Sequence, residues 1–196
     1  MKVIGLTGGI ASGKSTASAY LRSLGAQIVD ADAISRASTR KGEAGYAAVV
    51  ARFGREILRP DGEIDRRKLG ALVFADEEQR RALNALLHPI VIAACAREIE
   101  RCRAQGLSAC VLDVPLLFET GMERMCDVTW LLYVSREEQI RRIAERDGLG
   151  AQAAAARIDS QMPLAEKMRR ADRCIDASGS IEETQRKIRQ LWEELA

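Results

Sequence analysis

The apolar positions of the chain fall into two rhythms. Short continuous runs read as buried strands at Lys2 to Thr7, Gln27 to Asp30, Ala109 to Val114, Val128 to Val134 and Arg173 to Asp176. Between them, apolar residues recur at helical spacing, first from near Lys14 to the stop at Gly25. Strands that alternate with helices imply right-handed crossovers and a parallel sheet covered on both faces. The expected fold is therefore α/β, a three-layer α/β/α core whose ligand sits at the C-terminal ends of the strands.

Two stretches depart from that alternation. From Asp32 to Gly106 no strand pattern emerges. The sequence is helical, with expected breaks at Gly42, Gly45, Gly54, the Pro60-Asp61-Gly62 turn and Pro89. This predicts an inserted helical lobe over 32–106. A second charged helical stretch, 136–170, is interrupted at Gly148-Leu149-Gly150 and at Pro163, and predicts a helical lid. The core is then left with 1–31, 107–135 and 171–196. Within it, Ile181, Ile188, Leu191, Trp192 and Leu195 mark the buried face of a terminal helix.

Composition narrows the class. The chain has 196 residues, 47% hydrophobic and 30% charged, enough for one compact α/β domain with small inserted lobes. The net charge is only +2, and the basic residues are spread through helices rather than gathered in a block, so no nucleic-acid partner is expected. Cys95, Cys102, Cys110, Cys126 and Cys174 form an odd set without a C-x-x-C pair, which argues against a disulfide framework or a zinc site. The start, MKVIGLTGG, lacks a secretory apolar region, and no run approaches the ~20 apolar residues of a membrane span. The expectation is a cytoplasmic protein, without a membrane association or an obligate protein partner.

The sharpest chemical signal is Gly8-Gly9-Ile10-Ala11-Ser12-Gly13-Lys14-Ser15, which fits G-x-x-x-x-G-K-S between the first strand and the first helix. Glycine is needed because backbone N–H groups curl around phosphate oxygens, and a Cβ at Gly8 or Gly13 would obstruct that approach or the backbone angles behind it. Gly9, Ala11 and Ser12 complete the cradle. Lys14 reaches the β- and γ-phosphates, Ser15 offers its hydroxyl to Mg²⁺, and Thr16 supports the α-phosphate at the positive end of the helix.

No N-K-x-D element for guanine occurs, so ATP is the expected nucleotide. Asp113 ends a strand, either holding Mg²⁺ through water or ordering its own loop. After the second strand, Asp30-Ala31-Asp32 would point both carboxylates to one face if the chain stayed extended. A carboxylate there suits the base that orients an acceptor hydroxyl. The alternative is that Asp32 caps the next helix.

Together, LTGGIASGKS, IVDAD, LLHP, DVPLLFE and R-I-x-x-Q-M-P, in that order over nearly the whole chain, resemble the dephospho-CoA kinase family. The resemblance implies transfer of the ATP γ-phosphoryl group to the ribose 3′-hydroxyl of dephospho-CoA, the last step of CoA synthesis. It implies a P-loop core, a substrate lobe and a lid. It makes Lys14, Ser15 and Thr16 triphosphate and Mg²⁺ contacts and Asp32 the base, with Asp30 less clearly placed. It puts Arg142, and with it Arg146, over the phosphates, where they offset transition-state charge. The competing account of these arginines is helix-surface pairing with Glu137, Glu138 and Glu145. Arg157 and Gln161 match the later motif without an assigned task.

His88, in Leu86-Leu87-His88-Pro89, either caps a helix starting at the proline or touches dephospho-CoA, as the family's lobe motif implies. Arg66 either pairs with the acceptor's pyrophosphate or lies on a solvated helix face. One departure stands out: Ala177-Ser178-Gly179 follows the last strand where family members often carry Asn, so adenine recognition there falls to the backbone. The rivals are another P-loop small-molecule kinase, for a nucleoside monophosphate or a sugar acid, and a non-catalytic ATP-dependent switch. The first lacks its arginine pattern here, and the second lacks a γ-phosphate sensor tied to a partner surface.

Overall fold

A computed structural model of the chain describes residues 1–195. Five strands, β1 (Lys2–Gly8), β2 (Gln27–Asp30), β3 (Ala109–Asp113), β4 (Val128–Tyr133) and β5 (Arg173–Asp176), form one sheet in the order β2-β3-β1-β4-β5. The pairings of β1 with β3 and β4, and of β4 with β5, are parallel. β1 is buried from Val3 to Gly8 and β3 throughout, which is why both read as continuous apolar runs rather than alternating ones.

The helices are α1 (Lys14–Ser23), α2 (Ala31–Ser38), α3 (Ala44–Phe53), α4 (Arg66–Ala75), α5 (Glu77–Ala104), α6 (Arg136–Asp147), α7 (Ala151–Asp159), α8 (Leu164–Arg170) and α9 (Ile181–Glu193). The chain divides into two compact units, one of Met1–Val29 with the residues from Ile99 onward, the other Asp30–Glu98.

In the first unit, Ile4, Leu6, Val111, Trp130, Leu132 and Ile175 from the sheet pack with Leu21 of α1 and Ile188 of α9. Of the stripe read from the sequence, Ile188, Leu191, Trp192 and Leu195 face this core, whereas Ile181, at the first position of α9, is 58% exposed. Strand order reverses on either side of β1, so the crevice beyond its C-terminal end is the ligand position of an open α/β sheet.

The second unit has a core of its own, built from Val49, Phe53, Ile57, Ile64 and Leu69. An isolated antiparallel bridge, Leu58 to Ile64, closes the Pro60-Asp61-Gly62 turn. Two expected breaks are absent. Gly45 lies inside α3, where an added Cβ would stand 2.5 Å from the Ser38 carbonyl oxygen, so this glycine serves close packing. Helix α5 runs through Pro89. A proline costs one i to i−4 bond, and a helix of 28 residues retains the rest. That same helix contains an apolar window long enough to cross a membrane, which corrects the expectation that no stretch approaches that length. The window is legible only when isolated charges such as Arg97 are tolerated at its rim.

Candidate active site

The loop from β1 to α1 carries the sequence motif in the backbone geometry that phosphate binding requires. Ala11 has φ 61° and Gly13 φ 88°, both left-handed, and Gly13 is the N-cap of α1 without a side-chain cap. The first N–H groups of α1 are thus left to whatever anion enters the loop. A Cβ on Gly8 would collide with the Ser12 hydroxyl oxygen and stand 3.0 Å from the Leu132 carbonyl, so only glycine fits. The Ser12 hydroxyl is buried and has no hydrogen-bond partner among the described residues. A buried, unsatisfied donor inside a phosphate cradle is what an anion oxygen would satisfy.

Lys14 is 16% exposed and its ammonium is ion-paired with Asp113, 7% exposed, at the end of β3. The register explains the meeting: Asp113 lies beside Leu6, the Val114 N–H donates to the Leu6 carbonyl, and the Thr7 hydroxyl donates to the Pro115 carbonyl. Two residues to which the sequence assigns separate roles, Lys14 to the phosphates and Asp113 to Mg²⁺ or to loop ordering, are therefore brought together as an ion pair. Ser15 and Thr16, in the first turn of α1, are exposed. A hydroxyl and a carboxylate are hard oxygen donors, the set that suits Mg²⁺ completed by phosphate and water. Among the described residues no three His, Cys, Asp or Glu side chains cluster as a metal site.

Arg142 of α6 faces the loop. Its guanidinium donates to the Ala11 carbonyl at 3.3 Å, to the Ala177 carbonyl at 3.0 Å and to Glu138 at 2.6 Å. Arg142 thus pairs along the helix with Glu138 and also reaches the backbone of the phosphate loop. Hydrogen bonds from Arg141 and Arg142 hold the Glu138 carboxyl down at about 2. Arg146 behaves differently. It chelates Asp147 at 2.8 and 3.0 Å, and Asp147 also takes Arg157 at 2.6 Å, so this arginine sits in an exposed pair rather than at the loop. The two arginines are four residues apart and so share one helix face; what separates them is their partners, Arg146, one turn further along the helix, being taken by Asp147.

A cleft of about 270 Å³ opens beside the loop, lined by Ser12, Gly13, Thr16, Arg142, Ala177 and Ser180 among others. It lies against the segment between β5 and α9, where Ser180 caps α9 in a capping box with Glu183. The sequence assigns the segment Ala177-Ser178-Gly179 on this wall a backbone role only and leaves Ser180 unassigned, because small side chains carry no motif.

The remaining predicted residues belong to the second unit. Asp30 is the N-cap of α2, its carboxylate accepting from the Ala33 N–H at 2.9 Å. The helix begins at Ala31, so the two carboxylates are not presented by an extended strand, and the capping duty falls to Asp30 rather than Asp32. Asp32 lies exposed in the first turn of α2. Arg66 opens α4 and donates to the Arg36 carbonyl and the Thr39 hydroxyl, both at 3.0 Å. His88 is a half-buried residue inside α5, not a cap, and burial pushes its pKa down.

Fold and loop together define a P-loop α/β nucleotide-binding core. The model of the dephospho-CoA kinase family matches residues 2–183. A dephospho-CoA kinase of Geobacillus kaustophilus is 51% identical over 94% of this chain and 92% of its own length. Among solved structures, TT1252 from Thermus thermophilus superposes with a TM-score of 0.82 at 36% identity, covering 100% of this chain and 98% of that one. A dephospho-CoA kinase from Campylobacter jejuni superposes with a TM-score of 0.68 at 26% identity, covering 100% and 97%. This chain belongs to the dephospho-CoA kinase family.

Proposed function

We propose that this chain carries out the family reaction with the side chains described above. The chain is a kinase that moves the ATP γ-phosphoryl group to the ribose 3′-hydroxyl of dephospho-CoA, giving CoA and ADP. The observation that supports this assignment of roles most strongly is the Lys14–Asp113 pair at the mouth of a glycine-shaped loop.

Phosphoryl transfer asks the protein for position and charge rather than covalent chemistry. The N–H groups of Gly9, Ala11, Gly13, Lys14, Ser15 and Thr16, with the Ser12 hydroxyl, would hold the triphosphate. Lys14 would exchange Asp113 for the β- and γ-phosphate oxygens as the nucleotide enters. Ser15 and the released Asp113 would hold Mg²⁺, which when bound offsets charge on the β- and γ-phosphates. Arg142, already at the loop, adds positive charge to the transferring group. Arg146 would have to leave Asp147 to do the same, so Arg142 is the better-supported of the two.

Asp32 would accept the proton of the acceptor hydroxyl, a role for which its position just past the end of β2 is suited. Arg66 and His88 would bind dephospho-CoA, in keeping with a substrate lobe over 32–106, and 136–170 would serve as the lid. The adenine would occupy the cleft between Ser12 and Ser180. The protein would work in the cytoplasm, a reading supported by an odd set of five cysteines without a C-x-x-C pair.

A coupled ADP-release assay with dephospho-CoA, AMP, adenosine or no acceptor tests the reading. ADP release driven by dephospho-CoA alone, with a product heavier by one phosphate, is expected. Turnover with AMP and none with dephospho-CoA would overturn the substrate and leave the P-loop.

A further inference from the structure

Ile10 lies at the tip of the phosphate loop, and both polar groups of its backbone are held by side chains from distant segments. Its N–H donates to Gln161 Oε1 at 3.0 Å, and its carbonyl accepts from Gln139 Nε2 at 2.8 Å. Gln139 is 5% exposed, on the face of α6 that also carries Ile143 into the core. Gln161 sits in the bend between α7 and α8. Its neighbour Met162 donates its N–H to Glu119, which is also ion-paired with the wholly buried Lys167. Each glutamine is therefore itself held in place.

The sense of the two amides is dictated by their partners. A backbone N–H needs an oxygen and a backbone carbonyl needs an N–H, so Gln161 must present its oxygen and Gln139 its nitrogen. An added Cβ on Gly9 would come within 2.6 Å of Gln139 Nε2, which gives that glycine a reason beyond phosphate contact. A loop that binds anions through its backbone gains most from being fixed before the anion arrives, because ordering it afterwards would subtract from affinity.

We infer that Gln139 and Gln161 form an amide clamp that fixes the Ile10 peptide and so preorganises the phosphate loop for ATP. They are positioning residues for the reaction, which rests on the kinase reading above, and Gln161 thereby acquires the task its motif lacked. The clamp also ties α6 and the α7–α8 bend to the loop, so this part of 136–170 is attached at the phosphate loop rather than hinged free of it.

The test exploits the opposite sense of the two amides. A glutamate keeps the acceptor that Ile10 N–H needs from position 161, but replaces the donor that Ile10 carbonyl needs from position 139. Both variants add one negative charge near the loop, so their difference reports hydrogen-bond sense. Equilibrium ATP binding to the full chain is measured together with KM for ATP, KM for dephospho-CoA, kcat and thermal midpoint. Gln139→Glu and Gln161→Met are expected to weaken ATP binding by about tenfold or more, and Gln161→Glu by no more than about threefold, with KM for dephospho-CoA unmoved. Equal losses in the two glutamate variants, or a greater loss in Gln161→Glu than in Gln161→Met, would overturn the clamp. ATP binding is read apart from turnover, so a failed acceptor assignment leaves this test intact. Should a variant not fold, hydrogen exchange of the wild-type nucleotide-free chain decides: the clamp requires a protected Ile10 amide, and exchange at the rate of an open loop contradicts it.

Discussion

Lys14, at the start of α1, and Asp113, at the C-terminal end of β3, are ion-paired, each largely out of solvent. The carboxylate thus occupies the ammonium that the triphosphate must use, and the loop is held in register with the sheet before any ligand binds. Replacing Asp113 by Ala leaves a buried ammonium without its partner, at a cost on the order of 3 kcal/mol. A urea titration should show that loss in the nucleotide-free chain, and saturating ATP should recover part of it, since phosphate then takes the ammonium.

Lys14→Ala removes the charge that meets the β- and γ-phosphates. Weaker ATP binding and slower turnover are expected together, read by isothermal titration and steady-state kinetics. Loss of kcat with unchanged ATP affinity would reassign the lysine to the transition state alone.

Asp32→Asn should leave ATP affinity within about twofold and reduce kcat by on the order of a hundredfold or more, the scale of general-base catalysis. Near-normal turnover would take Asp32 out of the base role and leave it a first-turn residue of α2.

How much of this was legible beforehand follows from the kind of signal each element carries. β2 and β5 are partly exposed and carry a weaker pattern, whereas β1, β3, β4 and the loop announce themselves, because both-face burial produces unbroken apolar runs and phosphate binding needs glycines at fixed spacing. The start of α2 did not: Asp30-Ala31-Asp32 reads equally as strand continuation or cap, and only the Asp30 bond to Ala33 N–H decides. Pro89 misled for a similar reason, since a proline marks a break in a short helix but is absorbed by a long one. Arg142 and Arg146 look alike in sequence, yet one bonds to the Ala11 carbonyl and the other to Asp147. The Gln139 and Gln161 contacts span 129 and 151 residues, beyond any local pattern.

His88, the sole histidine, is held below its usual 6.5 by burial. Below pH 6.5 the unfolded chain takes up a proton that the folded chain refuses, so stability is full above that pH and falls as pH drops toward the folded value. Urea midpoints at pH 7.5 and 5.5 should differ more for the wild type than for His88→Gln. Equal pH slopes would show that the histidine titrates alike in both states.

The most direct test of the central claim is where the new phosphate lands. Dephospho-CoA turned over with ATP and Mg²⁺ is analysed by phosphorus and proton NMR. A new phosphomonoester coupled to the ribose H3′ is the predicted result; a phosphate coupled to another position, or ADP formed with dephospho-CoA unchanged, would contradict it.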